Sequence, residues 1–224
     1  MPKECRVWLF SATFKENDKD LDGIKKDQDM VEFAKKFIGK DKETEMILIP
    51  RDKLTLKQMK QFYMEVATLA DKQAVVKEIY ETTQMGQSII FLNTIKSAEL
   101  LYNQLTAKAG GNFSVSLLHG DLDDQERKKI MQSFRDAKTK VLITTNVVAR
   151  GVDISQVTHV INFDLPYEMN PEDRQQQQQQ KKSWDEIPQT PDYATYLHRI
   201  GRTARFKSKG IALTLVRGPK DKEA

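Results

Sequence analysis

A chain of 224 residues makes one large domain, or one domain with part of another, at about 150 residues per domain; its 39% apolar and 30% charged content lets it bury a sizeable core. No apolar run reaches the roughly eighteen residues of a membrane span, and the charged opening Met1–Cys5 lacks the apolar stretch of a secretion signal. The lone Cys5 excludes a disulfide framework, no Cys/His spacing fits zinc, and a net charge of +4 permits a nucleic-acid partner without arguing for one; an intracellular, soluble protein is expected.

In chain order, Arg6–Phe10 reads as a strand, Met30–Ile38 as a helix and Met46–Ile49 as a strand, with the charged stretch Lys15–Asp29 between the first two. Three elements are too few for a domain, so residues 1–50 are expected to be the tail of a preceding domain with a linker, and residues 51–224 the main domain. There Gln58–Val66 reads as a strand and Lys72–Gln84 as a helix with Val75, Val76 and Ile79 inward. Ser88–Leu92 is a continuous apolar run, the mark of a strand buried on both faces. Thr94 is a suitable N-cap for a helix carrying Ile95, Ala98, Leu101 and Leu105 on one side, ended by Gly110-Gly111. Then follow a strand at Ser114–Leu118, a helix capped near Asp123 and burying Ile130, Met131 and Phe134, and strands at Lys140–Thr144, Thr158–Phe163 and Ile211–Val216. The glutamine run Gln175–Gln180, flanked by prolines, reads as a solvated insertion in a surface loop at about 167–191. Buried strands alternating with helices predict an α/β fold, a parallel sheet with helices on both faces, and such sheets bind ligands at the carboxyl ends of their strands.

The polar residues gather at those ends. Asn93-Thr94 follows the first buried strand; His119-Gly120-Asp121 follows the next, with Arg127 in the first turn of the helix beyond. Thr144, Thr145 and Asn146 close another strand, and Gly151 and Asp153 lie just past it: hydroxyls and a glycine can hold phosphate, and an acid can accept from ribose hydroxyls. Arg199, Arg202 and Arg205 recur every third residue, so a helix over that stretch aligns them roughly along one face with Gly201 in its interior, at a cost of about 1 kcal/mol relative to Ala. An anionic ligand turns the repulsion of aligned guanidinium groups into binding, and their forks suit phosphate oxygens. Each fragment alone also reads as a strand end, a turn or a basic helix face; four polar clusters at four strand ends do not.

Ser11-Ala12-Thr13, the stretch Thr145–Asp153 with Ala149-Arg150-Gly151, and His198-Arg199-Ile200-Gly201-Arg202 together resemble the motifs of the DEAD-box RNA helicases. The resemblance runs from about Arg6 to Val216 and is to the second RecA-like domain, preceded by the last elements of the first. Thr55–Gln58, Gly120–Arg127 and Ile161–Pro166 with its lengthened loop are most similar to the nuclear mRNA-export branch. The resemblance implies that Arg202 and Arg205 act as arginine fingers on the γ-phosphate of ATP, with His198 and Arg199 tying the ATP site to the other domain. It implies that Asp153 holds the ribose, with Gly151 giving close backbone approach. Asn93, Thr94, Gly120, Asp121, Arg127, Thr145 and Asn146 would line the RNA backbone without reading its sequence, and Ser11 and Thr13 would couple the cleft to strand separation. Two positions depart from the pattern: Ala204 stands where the family has Gly, and Asp124 where it has Gln, so Asp124 is expected to cap the helix or pair with Arg127.

Neither Gly-x-x-x-x-Gly-Lys-Ser/Thr nor Asp-Glu-Ala-Asp occurs. The phosphate cradle, the Mg2+ carboxylate and the general base are therefore expected in an N-terminal RecA-like domain, and these residues alone are expected to be inactive. The whole protein is expected to couple ATP hydrolysis to remodelling of RNA duplexes or RNA–protein particles in mRNA export. Its expected places are cytoplasm, nucleus and nuclear pore, with pore-associated regulators as partners. The alternative is a non-catalytic RNA-binding or partner-docking module of the same fold.

Overall fold

The computed structural model describes residues 59–107, 114–146, 157–168, 190–203, 209–218 and 221. The chain divides between residues 55 and 56, and every described residue belongs to the second unit, Leu56–Ala224. The elements expected within residues 1–50, the Gly110-Gly111 helix stop and the glutamine run lie outside the described residues.

Eight strands and four helices follow in order: β1 (Met59–Val66), α1 (Leu69–Thr82), β2 (Gln87–Phe91), α2 (Ile95–Ala107), β3 (Val115–Leu118), α3 (Asp124–Arg135), β4 (Val141–Thr144), β5 (Val157–Asn162), β6 (Tyr167–Glu168), β7 (Thr190–Pro191), α4 (Tyr193–Ile200) and β8 (Gly210–Arg217). The expected strands appear within a residue or so of their ends, and α1 begins three residues before Lys72. The sequence did not announce β6 and β7, which pair antiparallel as a two-residue ribbon too short to carry a periodicity.

Local chemistry starts the helices where the sequence puts them. Thr68 and Asp71 form a reciprocal capping box at α1, and Asp123 and Glu126 form another at α3. Thr94 Oγ1 accepts the Ser97 amide at 3.1 Å and so caps α2, as its position predicts.

Six strands make one sheet in the order β1-β8-β5-β2-β4-β3, every neighbouring pair parallel. Its central strand β2 is buried at all five positions. Alternation divides the core. Ile90, Ile143 and Ile161 pack with Val76 and Tyr80 of α1 and Ala98, Leu101 and Leu105 of α2. Ile89, Leu142 and Val160 pack with Met131 and Phe134 of α3. Helices therefore cover both faces, and each fully buried Ile or Phe contributes about 1.5–3 kcal/mol. From β2 the chain travels out to β3, returns to β4, then crosses to β5 on the other side of β2. The strand order reverses at β2, and its carboxyl end lies between those of β4 and β5, where parallel sheets open a crevice.

Candidate functional site

The last described helix, α4, is capped by Asp192, whose Oδ1 accepts the Thr195 amide at 2.8 Å. Its seventh residue, Arg199, is fully buried over the carboxyl ends of the three central strands. Its guanidinium donates from Nε to Asn146 Oδ1 (2.9 Å), from Nη2 to Asn146 Oδ1 (2.6 Å) and Asn93 Oδ1 (2.8 Å), and from Nη1 to the Asp164 carbonyl (2.6 Å). Below it lies the Phe91 ring, with the guanidinium carbon 5.2 Å from the ring centroid. Desolvation lowers the Arg199 pKa to about 10, against the pull of Asp164 and Asp192. Such a charge stays inside only because every guanidinium nitrogen has an acceptor.

Asn93 is fixed at three atoms. Its Oδ1 takes Arg199, its Nδ2 donates to the Leu165 carbonyl at 2.6 Å, and its amide donates to Asp164 Oδ2 at 3.1 Å. The other oxygen of Asp164 pairs with Lys72 of α1 at 3.2 Å. Asn93, Asn146 and Arg199, which the resemblance distributes between the RNA and ATP sides, thus form one hydrogen-bonded cluster. Lys72 and Asp164 complete it, and the motif reading left both out as site residues. Asp164 was legible as the first acid after the β5 apolar run. Lys72 in the first turn of α1 carried no signal.

The arginine row differs from the expected helical face. The helix ends at Ile200, and Gly201 is its C-cap rather than an interior residue, so the interior penalty does not arise. Gly201 is needed for another reason: a Cβ there would stand 2.9 Å from the Leu197 carbonyl oxygen, the same oxygen that accepts the Gly201 amide at 2.8 Å. Arg202 therefore leaves the helical register; it is 7% exposed and its Nε donates to the His198 carbonyl at 3.2 Å. His198 itself is half-buried.

Around the neighbouring strand ends, Thr144 Oγ1 donates to the Leu118 carbonyl at 2.8 Å, joining β4 to β3 beside the buried Thr145. Gly120 and Asp121 are exposed in the turn after β3. Arg127 Nη2 donates to the Gly120 carbonyl and Nη1 lies 3.5 Å from Asp124 Oδ1, so Asp124 pairs with Arg127 while Asp123 does the capping. Thr94, Gly120, Asp121, Arg127, Thr145 and Asn146 all sit at or just past strand carboxyl ends, and the exposed ones present main chain and short polar groups. Gly151, Asp153, Arg205, Ser11 and Thr13 lie outside the described residues.

A switched parallel sheet whose strand ends carry Asn93-Thr94 and Thr145-Asn146, with a His-Arg-x-Gly-Arg stretch closing the helix above them, is the architecture of a helicase C-terminal domain. Residues 71–207 match the helicase conserved C-terminal domain, and the chain belongs to that family, in its DEAD-box RNA helicase branch. It is 38% identical over 216 residues to the ATP-dependent RNA helicase DDX25 of Rattus norvegicus, across 96% of this chain and 37% of that protein. The fold is RecA-like. It matches Saccharomyces cerevisiae Dbp5 bound to RNA and ADP BeF3 with a TM-score of 0.74 and 36% identity, over 100% of this chain and 48% of that one. It also matches S. cerevisiae Dbp5 bound to Nup159, Gle1, IP6 and ADP with a TM-score of 0.61 and 33% identity, over 87% of this chain and 43% of that one. The chain thus spans less than half the length of each of these three relatives.

Proposed function

We propose that this chain is the C-terminal RecA-like domain of an ATP-dependent RNA helicase, residues 51–224, with residues 1–50 the tail of the preceding RecA-like domain. Arg199 carries the reading. One buried guanidinium holds the exits of β2, β4 and β5 together, three residues before Arg202, so groups suited to RNA and groups suited to phosphate share one rigid support.

Closure of the two domains over ATP and RNA brings Arg202 and Arg205 to the terminal phosphate, where their fixed charge stabilises the leaving phosphoryl group. Asp153 accepts from the ribose, with Gly151 allowing close approach. Carboxylates of the preceding domain would hold Mg2+, which would supply charge neutralisation at the phosphates. Asn93, Thr94, Gly120, Asp121, Arg127, Thr145 and Asn146 form a track for the RNA backbone, contacting phosphates and 2′-hydroxyls. Ser11 and Thr13 couple closure to bending of the strand. Likeness to Dbp5, solved with RNA and with Nup159 and Gle1, supports work on mRNA–protein particles in export, at the nuclear pore and in the cytoplasm, under pore-associated regulators.

RNA-stimulated ATP turnover of the full-length protein tests this. Arg202→Ala should lower kcat by about 10³-fold with ATP affinity within a few-fold of the unsubstituted protein. Unchanged turnover would assign the arginines to RNA or protein partners and favour a non-catalytic docking module.

A further inference from the structure

We propose that Asp164 is a positioning residue: held on one side by the buried Lys72, its side chain anchors the Asn93 amide and so sets the geometry of the Asn93-Thr94 loop and thereby the affinity for RNA. The proposal rests on the reading above that this loop belongs to the RNA track.

Lys72 is 4% exposed, and lysine is rarely buried without a partner. Its ammonium donates to the Phe163 carbonyl at 2.7 Å and to Asp164 Oδ1 at 3.2 Å, and stands 5.5 Å from the centre of the Phe163 ring. Every partner of this cation lies just past the end of β5, 91 or 92 residues away in the chain.

Asp164 is where the connections meet. Oδ1 belongs to Lys72, and Oδ2 accepts the Asn93 amide at 3.1 Å. Its own amide approaches the Phe91 carbonyl at 3.3 Å, and its carbonyl accepts Arg199 Nη1 at 2.6 Å. One residue therefore links α1, the exits of β2 and β5, and α4.

The charge on Lys72 matters because a second cation is near. The Arg199 guanidinium is bonded to the carbonyl of Asp164 itself, and attraction between charges that are partly shielded from water is stronger than in bulk solvent. With Lys72 neutralised, the carboxylate is drawn toward Arg199 and away from the Asn93 amide, and the loop loses its anchor. With Lys72 in place, Oδ1 is held on the α1 side and Oδ2 faces Asn93.

Two double variants of the full-length protein isolate that bond. K72M/D164N removes both charges and keeps an oxygen for the Asn93 amide; K72M/D164A removes the oxygen as well, and since both take the same carboxylate from beside Arg199, the two differ at the Asn93 bond. In ATP turnover titrated with single-stranded oligouridylate, K72M/D164A should raise the RNA concentration for half-maximal stimulation about tenfold. K72M/D164N should stay within about threefold, and kcat at saturating RNA should change less than half-saturation in both. Hydrogen exchange at the Asn93 amide reads the same bond without activity: slow in K72M/D164N, fast in K72M/D164A. Equal half-saturation and equal exchange in the two variants would overturn the positioning role while leaving the helicase reading intact. An unsubstituted protein whose turnover ignores RNA would overturn both.

Discussion

Arg199 shows how far one residue's role depends on what folding brings to it. In the sequence it is the first of three regularly spaced arginines. In the structure its acceptors are Asn93, Asn146 and Asp164, at separations of 106, 53 and 35 residues, and no local pattern could pair them. Thr94 is the opposite case, since its partner is three residues away and its capping role was legible. His159 gives the residue-scale prediction. Burial holds its pKa below the ordinary 6.5, and Nδ1 lies 2.7 Å from Thr158 Oγ1. The unfolded chain takes up this proton at higher pH than the folded chain, so stability falls as pH drops from about 6.5 toward the folded pKa and is level above that window. His159→Gln should flatten the dependence of Tm on pH just below 6.5. An unaltered slope would mean that another group titrates there.

At the scale of elements, capping and periodicity did most of the specifying. The α3 start was readable because the Asp123 and Glu126 side chains accept each other's backbone amides within one turn. Asp123→Ala should cost about 1 kcal/mol, seen as a lower urea midpoint at unchanged m-value; an unmoved midpoint would show that the exposed box adds nothing. Strands β2 and β4 were readable because both faces are buried, which makes the run continuously apolar. The end of α4 differs from the expected helical run because Gly201 takes the C-cap position, which no local pattern marked. Gly201 sits at an ordinary φ of −64°, and only the approach of the Leu197 carbonyl marks the position as one that excludes a side chain. Arg199 and Arg202 are therefore a buried anchor and a post-helical turn residue rather than neighbours on one helical face.

For the molecule as a whole, the sheet order sets which residues meet at the candidate site. Placing β2 between β4 and β5 gathers residues from three separate stretches at one crevice, and two further strands on the β5 side extend the sheet to β1. The sequence contains neither a phosphate-binding loop nor an Asp-Glu-Ala-Asp segment, so the 224 residues alone should show no RNA-stimulated ATP turnover, whereas the full-length protein should. Robust turnover by the isolated chain would require a phosphate cradle that no segment of this sequence resembles.

The sequence by itself determined the six strands of the sheet, the starts of α2 and α3 and the α/β class, because each rests on chemistry acting within one helical turn or along one strand, and its motifs carried the family. Tertiary structure alone decided the strand order, the burial of Arg199, the Lys72–Asp164 pair and the need for glycine at 201. Those depend on which distant groups meet once water is excluded, where a buried charge survives only with partners and a backbone approach of 2.9 Å leaves no room for a methyl.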